Sequence, residues 1–170
     1  MLDIGCGSGI SGEALQENNY LWEGIDISRD MLNISAAKDQ LHGGLWQMDI
    51  GQGWKFRAGV FDGVVSISVI QWLCVASRKS DNPFKRCCKF FQSLYDCLRI
   101  GGRAVLQFYP DGKHQLEMLT TSAMKSGFSG GLIVDYPNST KAKKYFLVIE
   151  AGVRRNLGIV EVAGKTELIE

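Results

Sequence analysis

The feature that most limits the fold lies at the start of the chain. Leu2-Asp3-Ile4 is a short apolar run holding one acidic residue, and it passes at once into Gly5-Cys6-Gly7-Ser8-Gly9. Glycines at that spacing turn a strand tightly into a helix, and without a Cβ they let the backbone approach a ligand closely. The first turn of the helix offers free N–H donors on the same side. Seventeen residues beyond Gly9, Asp26 closes a second apolar run, Gly24-Ile25-Asp26-Ile27-Ser28. Strand, glycine turn, helix, strand, acid is the order of α/β folds that hold a nucleotide-type ligand at the carboxyl ends of parallel strands. A glycine turn with a purely structural role is the competing interpretation.

The remaining chain continues the alternation. Ser11–Glu17 is predicted as helix, and Arg29 to Gln40 as a second helix with Ser28 as N-cap. Leu45–Met48 is a short third strand. Phe61–Val69 is the most β-like run and is predicted as a central buried strand. Asn82 and Pro83 open a helix, since proline at the first helical position loses no hydrogen bond. Phe84, Cys87, Cys88, Phe91, Leu94, Tyr95 and Leu98 share its apolar face, and Gly101 reads as its left-handed C-cap. Arg103–Phe108 is a fifth strand, Gln115–Lys125 a helix closed by Gly127, and Leu132–Val134 with Tyr145–Ile149 a hairpin-like pair. The fold class is α/β, a Rossmann-like, mostly parallel seven-stranded sheet with helices on both faces. Gly152–Glu170 has no evident place in it.

Composition excludes several alternatives. The 170 residues suffice for one domain with a real core. Apolar residues make up 45% and charged residues 22%, with no run long enough to span a membrane and no signal-peptide pattern at Met1–Gly9. The five cysteines form no CxxC pair and the two histidines are isolated, so neither a disulfide framework nor a metal site is expected. Cys87 and Cys88 are expected to pack, and a reducing intracellular compartment is the default. Residues 1–50 carry two basic and eight acidic side chains, whereas residues 51–170 carry seventeen basic and ten acidic. That asymmetry suits a polyanionic substrate approaching one side, and equally an ordinary mixed surface.

Four segments carry candidate chemistry. The first is the glycine turn, and the second is Asp26, whose carboxylate suits two ribose hydroxyls or, alternatively, a helix cap. In the third, Gln47-Met48-Asp49-Ile50, an acid past the third strand suits an adenine amino group, with Ile50 over the ring; a solvated loop Asp is the alternative. The fourth is Phe61–Trp72, in which Ser66 to Ser68 would line the path to the acceptor. Gln71 and Trp72 would sit at the substrate mouth, with core packing as the competing role for Trp72. Gly7-Ser8-Gly9-Ile10-Ser11-Gly12 also fits the dinucleotide pattern GxGxxG, but that register starts late after the strand. The Asp3-x-Gly5-x-Gly7-x-Gly9 register resembles that of S-adenosylmethionine-dependent methyltransferases.

Longer stretches narrow the resemblance. Leu2–Leu15 (LDIGCGSGISGEAL), Gly24–Leu32 (GIDISRDML), Met48–Phe56 (MDIGQGWKF) and Phe61–Leu73 (FDGVVSISVIQWL) resemble the eukaryotic 18S rRNA guanine-N7 methyltransferases. So does Gly127–Phe146, whose Gly130–Ser139 segment is no general methyltransferase motif. The resemblance spans roughly residues 2–150, the expected methyltransferase domain, and leaves 151–170 as a short C-terminal extension. Compared with that family the chain is short at both ends, lacking the usual helical segment ahead of the glycine motif and the long basic tail.

The resemblance implies an enzyme that transfers a methyl group from S-adenosylmethionine to N7 of a guanine in small-subunit rRNA during ribosome biogenesis. It implies cofactor contacts from Asp3, Gly5, Cys6, Gly7, Asp26, Ile27, Asp49, Ile50, Ser66 and Ser68. Substrate positioning would fall to Gln71 and Trp72, with no metal. It further implies a small zinc-ribbon activator subunit as heterodimer partner, docked along the third strand near Leu45–Met48, where Trp46 is either an aromatic anchor or core. Preribosomal rRNA is the other partner, and nucleus or nucleolus the location, with the cytoplasm second. Arg78, Lys79, Lys85, Arg86, Lys89, Lys141, Lys143 and Lys144 are candidate phosphate contacts or a solvated face. A non-catalytic scaffold or fragment of such an enzyme, or a small-molecule methyltransferase, are the alternatives.

Overall fold

Each short apolar strand of the front half is followed by a helix or turn that carries the chain back, so its successor runs parallel. The computed structural model describes residues 1–38, 40–76, 81–139, 142–152 and 160–162. In chain order these form β1 (Leu2–Ile4), α1 (Ile10–Glu17), β2 (Glu23–Asp26), α2 (Arg29–Ala36), β3 (Gly44–Gln47) and β4 (Phe61–Ile67). Then come α3 (Pro83–Cys97), β5 (Leu98–Phe108), α4 (Lys113–Lys125), β6 (Ser129–Asp135), β7 (Lys144–Glu150) and β8 (Val160–Val162). Single 3-10 turns lie at Ile50–Gln52 and Ile70–Cys74.

The strands form one sheet in the order β3-β2-β1-β4-β5-β7-β6-β8. β1 to β5 are mutually parallel, and β7 is antiparallel to both β5 and β6. The expected α/β sheet and the late hairpin-like pair are therefore present. The sheet also gains an eighth strand, β8, parallel to β6, in the stretch for which the sequence suggested no place.

Directly paired residues point to one face of a sheet. Leu2, Val64 and Ala104 are one such row, and Ile4, Ser66, Leu106 and Leu147 another. They pack beneath α3 and α4, where Phe90, Phe91, Leu94, Leu119 and Ala123 are fully buried. The opposite face carries Asp3, Val65, Val105 and Val148 in register. There α1 and α2 cover the β1–β3 side through a small cluster of Cys6, Trp22 and Leu32. On β4 and β5 of that face, Ile67 and Val105 keep 59% and 37% of their surface exposed.

Several boundaries differ from the sequence reading. α2 stops at Ala36. α3 begins as expected, with Asn82 Oδ1 accepting from Lys85 N–H and Pro83 in its first turn, but it ends at Cys97. Leu98 already belongs to β5. Gly101 does adopt φ +77°, yet it sits inside the strand, donating its N–H to Ala151 O, and does not cap the helix. Cys87 is fully buried and Cys88 half-buried, so the cysteine pair packs as expected. Arg78, Lys79 and Lys141 lie outside the described residues.

Candidate functional site

With β1 flanked by β2 and β4, the chain leaves β1 in one direction and β4 in the other. A crevice opens at their carboxyl ends, where α/β sheets bind ligands. A cavity of about 310 Å³ occupies it, lined by the residues that follow each strand: Gly5, Asp26 and Ile27, Asp49 and Ile50, Ser68 and Val69. Trp72 and Arg86 complete its wall. A depression of about 450 Å³ between α1 and the segment after α2 is larger, but it is a polar groove bridged by the Lys38–Glu13 ion pair, away from the strand ends.

Gly5 takes φ +73°, and a Cβ there would lie 2.1 Å from Val69 Cγ2, so only glycine fits. The turn it makes brings the Gly7 N–H to Asp26 Oδ2 at 2.9 Å, while the Ser28 N–H donates to Asp26 Oδ1 at 2.8 Å. Two backbone donors thus fix the Asp26 carboxylate, and among the described residues each oxygen keeps one lone pair. Ser28 separately caps α2 by accepting from Met31 N–H, so Asp26 is not needed as the helix cap.

Of the predicted residues, Gly7 and Gln71 do not line the cavity. Gly5, Asp26, Ile27, Asp49, Ile50, Ser68 and Trp72 line the cavity, whereas Asp3, Cys6 and Ser66 are buried behind it. Asp3 accepts a hydrogen bond from the Ser11 hydroxyl at 2.6 Å. Burial pushes its carboxyl up to about 6, opposed by that hydrogen bond and aided by the charge of Asp26. The Cys6 thiol, pushed up to about 12 by burial, packs on Gly24 and Trp22. Ser66 does not line the path to an acceptor: its hydroxyl donates to Ile4 O at 2.9 Å and ties β4 to β1. The reason is strand parity, which puts Ser66 on the α3 face. The strand then ends at Ile67, and Ser68, at φ +60°, turns the chain into the cavity.

Ser68 is a non-glycine residue in the left-handed region, a conformation that persists only where neighbours hold it. Gln107 does so twice, accepting from Ser68 N–H at its backbone oxygen and from the Ser68 hydroxyl at Oε1, both at 2.9 Å. Gln71 Nε2 donates to Ser68 O at 2.9 Å. Gln71 therefore supports the turn, while Trp72, 66% exposed, stands at the cavity and not in the core. Sequence reasoning missed Gln107; the signal was a lone amide in the apolar run Val105–Phe108.

Sequence reasoning also misplaced Arg86. Its guanidinium forms a two-pronged pair with Asp49, Nη1 to Oδ2 at 3.1 Å and Nη2 to Oδ1 at 2.9 Å. Gly51 N–H donates to Oδ1 as well. Burial alone would raise the Asp49 carboxyl, but the hydrogen bonds from Arg86, Gly51 and the Gln52 side chain and the charge of Arg86 hold it below its ordinary value. Lys85, Lys89 and Lys144 remain exposed. At the β3 edge Trp46 is half-exposed, its indole N–H donating to Glu23 at 2.6 Å and its ring meeting Phe56 edge-on. Among the described residues no His/Cys/Asp/Glu group could hold a metal ion, and no helix is long and apolar enough to cross a membrane.

Comparison with known proteins agrees with this geometry. The family described as "Methyltransferase domain" matches residues 2–106. The 18S rRNA (guanine-N(7))-methyltransferase of Mus musculus is 52% identical over 92% of this chain and 56% of its own length. The 18S rRNA (guanine(1575)-N(7))-methyltransferase of Saccharomyces cerevisiae is 50% identical over 89% of this chain and 55% of its own. The chain thus spans about half the length of the curated relatives it matches. Among solved structures, a TehB-like SAM-dependent methyltransferase from Corynebacterium glutamicum superposes with a TM-score of 0.68 at 17% identity. That match covers 88% of this chain and 78% of the other. Through its domain match, its strand order and these relatives, the chain belongs to the class I methyltransferase family.

Proposed function

We propose that the chain transfers a methyl group from S-adenosylmethionine to N7 of a guanine in small-subunit (18S) rRNA during ribosome biogenesis. The observation that carries this reading is the cleft itself: a carboxylate with one free lone pair on each oxygen at the end of β2, and an exposed tryptophan at the same cavity. The named function of the half-identical relatives supplies the substrate.

The residues fit the cofactor. Asp26 offers two acceptor sites to a ribose diol, Ile27 and Ile50 give apolar walls, and the Gly5 turn leaves a cradle that side chains would fill. Asp49 would take the adenine amino group. Bound there, S-adenosylmethionine supplies an electrophilic sulfonium methyl. Guanine N7 has a lone pair and no proton to lose, so the protein needs no general base. Asp26 and Asp49, the carboxylates of the cavity, are already engaged by hydrogen bonds and are suited to holding rather than to proton transfer. Trp72 would stack on the purine and keep water from it. Gln71, through Ser68, would keep that corner of the cleft in place.

A zinc-ribbon activator subunit is the partner this reading expects, at the β3 edge. β3 is the last strand of the sheet on that side, and Trp46 stands beside it. Lys85, Lys89 and Lys144 would meet rRNA phosphates, and the nucleus or nucleolus is the expected location.

Calorimetric titration with S-adenosylhomocysteine tests the site, with and without the activator. Binding is expected, and Asp26→Ala should weaken it by at least about tenfold, the loss of charge-assisted hydrogen bonds. Methyl transfer from labelled cofactor to small ribosomal subunits then tests the substrate. A folded chain that binds no S-adenosylhomocysteine in either setting would instead be a non-catalytic scaffold, and binding of NADH would overturn the glycine-turn assignment.

A further inference from the structure

On that reading of the cleft, we infer that Arg86 is a positioning residue for the cofactor: by clamping Asp49 it leaves a single acceptor site, on Oδ2, and so sets the selection of an adenine ring with its amino group. The argument is an accounting of lone pairs. A carboxylate oxygen accepts two hydrogen bonds in its plane. Asp49 Oδ1 receives Gly51 N–H at 2.9 Å and Arg86 Nη2 at 2.9 Å, and is full. Oδ2 receives Arg86 Nη1 at 3.1 Å, which leaves one position, and there a ligand N–H would compete with the Gln52 side chain, a further hydrogen-bond partner of this carboxylate.

The clamp is built to be rigid. The two prongs fix the plane of the carboxylate as well as its distance, which a lysine would not do. Arg86 is largely buried against the turn that carries Asp49, and a Cβ on Gly51 would lie 2.3 Å from Cζ. The absence of a side chain at Gly51 is what admits the guanidinium. Asp49, its neighbour Ile50 and Arg86 all line the cavity. A lone acceptor at a fixed angle welcomes an N–H donor and repels a carbonyl oxygen at the same ring position.

The test compares two ligands on each protein by calorimetry: S-adenosylhomocysteine, and S-inosylhomocysteine, which carries an oxygen where adenine carries its amino group. Wild type is expected to prefer the adenosyl ligand by about tenfold or more. Arg86→Met should still bind it, through Asp26, but with the preference reduced to within about twofold; Arg86→Lys, which keeps charge and loses the fork, should fall between. The ratio of two ligands on one preparation is insensitive to the folded fraction, and Arg86→Lys carries the test if Arg86→Met does not fold. An Arg86→Met protein that weakens both ligands equally, ratio intact, overturns the inference and leaves Arg86 a packing residue. A wild type that binds both ligands alike overturns it by removing Asp49 as reader. A wild type that binds neither overturns it together with the cofactor reading beneath it.

Discussion

Val64, Leu106 and Phe108 on β4 and β5 are wholly buried beneath α3 and α4, as is Phe91 of α3; on the other face of the same strands, Ile67 and Val105 keep about three-fifths and a third of their surface in water. β4 and β5 carry apolar side chains to both sides, the pattern of strands meant for two-sided burial. The described helices meet that demand unequally: α3 and α4 cover one side, while α1 and α2 reach only the β1–β3 side of the other. Hydrophobicity of a strand residue therefore does not set its energetic weight here. What is stacked on it does.

The sharpest way to break that comparison is Phe91→Ala against Ile67→Ala. Phe91 touches Phe90 and Phe128 edge-on, with ring centroids 4.9 and 6.4 Å away. Its loss should cost roughly 3–5 kcal/mol in urea unfolding, since the space cannot close. If Phe91→Ala costs no more than a surface change, α3 does not seal that face as described.

Asp3 sharpens it next, lying on the second face where α1 covers it. Its carboxyl is raised from 3.8 to about 6, foremost by burial. The folded state then holds the proton more tightly than the unfolded chain between about pH 4 and 6, so stability falls as pH rises through that window. At neutral pH the charged form costs up to about 3 kcal/mol. Asp3→Asn keeps an acceptor for Ser11 and should abolish the slope, raising stability at pH 7. Unfolding midpoints of both proteins from pH 4 to 7 check this, and parallel profiles would place the pH dependence elsewhere. The smallest expected effect is Ile67→Ala, under about 0.5 kcal/mol in the same urea assay. A loss above 2 kcal/mol would mean that this side of β4 is covered in solution.

Much of this was legible in the sequence, because glycine turns and strand-end acids act locally. Asp26 closes its own strand and is held by Ser28, two residues on, and by Gly7 from the glycine turn of the adjacent strand. The misreadings arose where the decisive partner is remote. Arg86 lies on the polar side of an amphipathic helix, and periodicity alone calls that side solvated; Asp49, 37 residues earlier, takes it out of solvent. The helical pattern ran past Cys97 because Gly101 has the left-handed backbone of a cap, which a strand beginning opposite Phe61 uses instead. Ser66 and Ser68 share a parity, so an unbroken strand would have aimed both at one face. The turn at Ser68 separates them, and besides Gln71 it is held by Gln107, 39 residues on.

The bond from Ser66 to Ile4 spans 62 residues. It joins the two strands between which the crevice opens, so the walls of the cleft are supplied by segments that meet only when β4 docks on β1. Contacts of such span are slow to close and weigh against rapid folding. On an emerging polypeptide, Asp26 and the glycine turn are made early but face no opposing wall until β4 has been synthesised and paired. The binding site is then a late product of folding, and its first ability to hold a ligand marks the docking of the central strands.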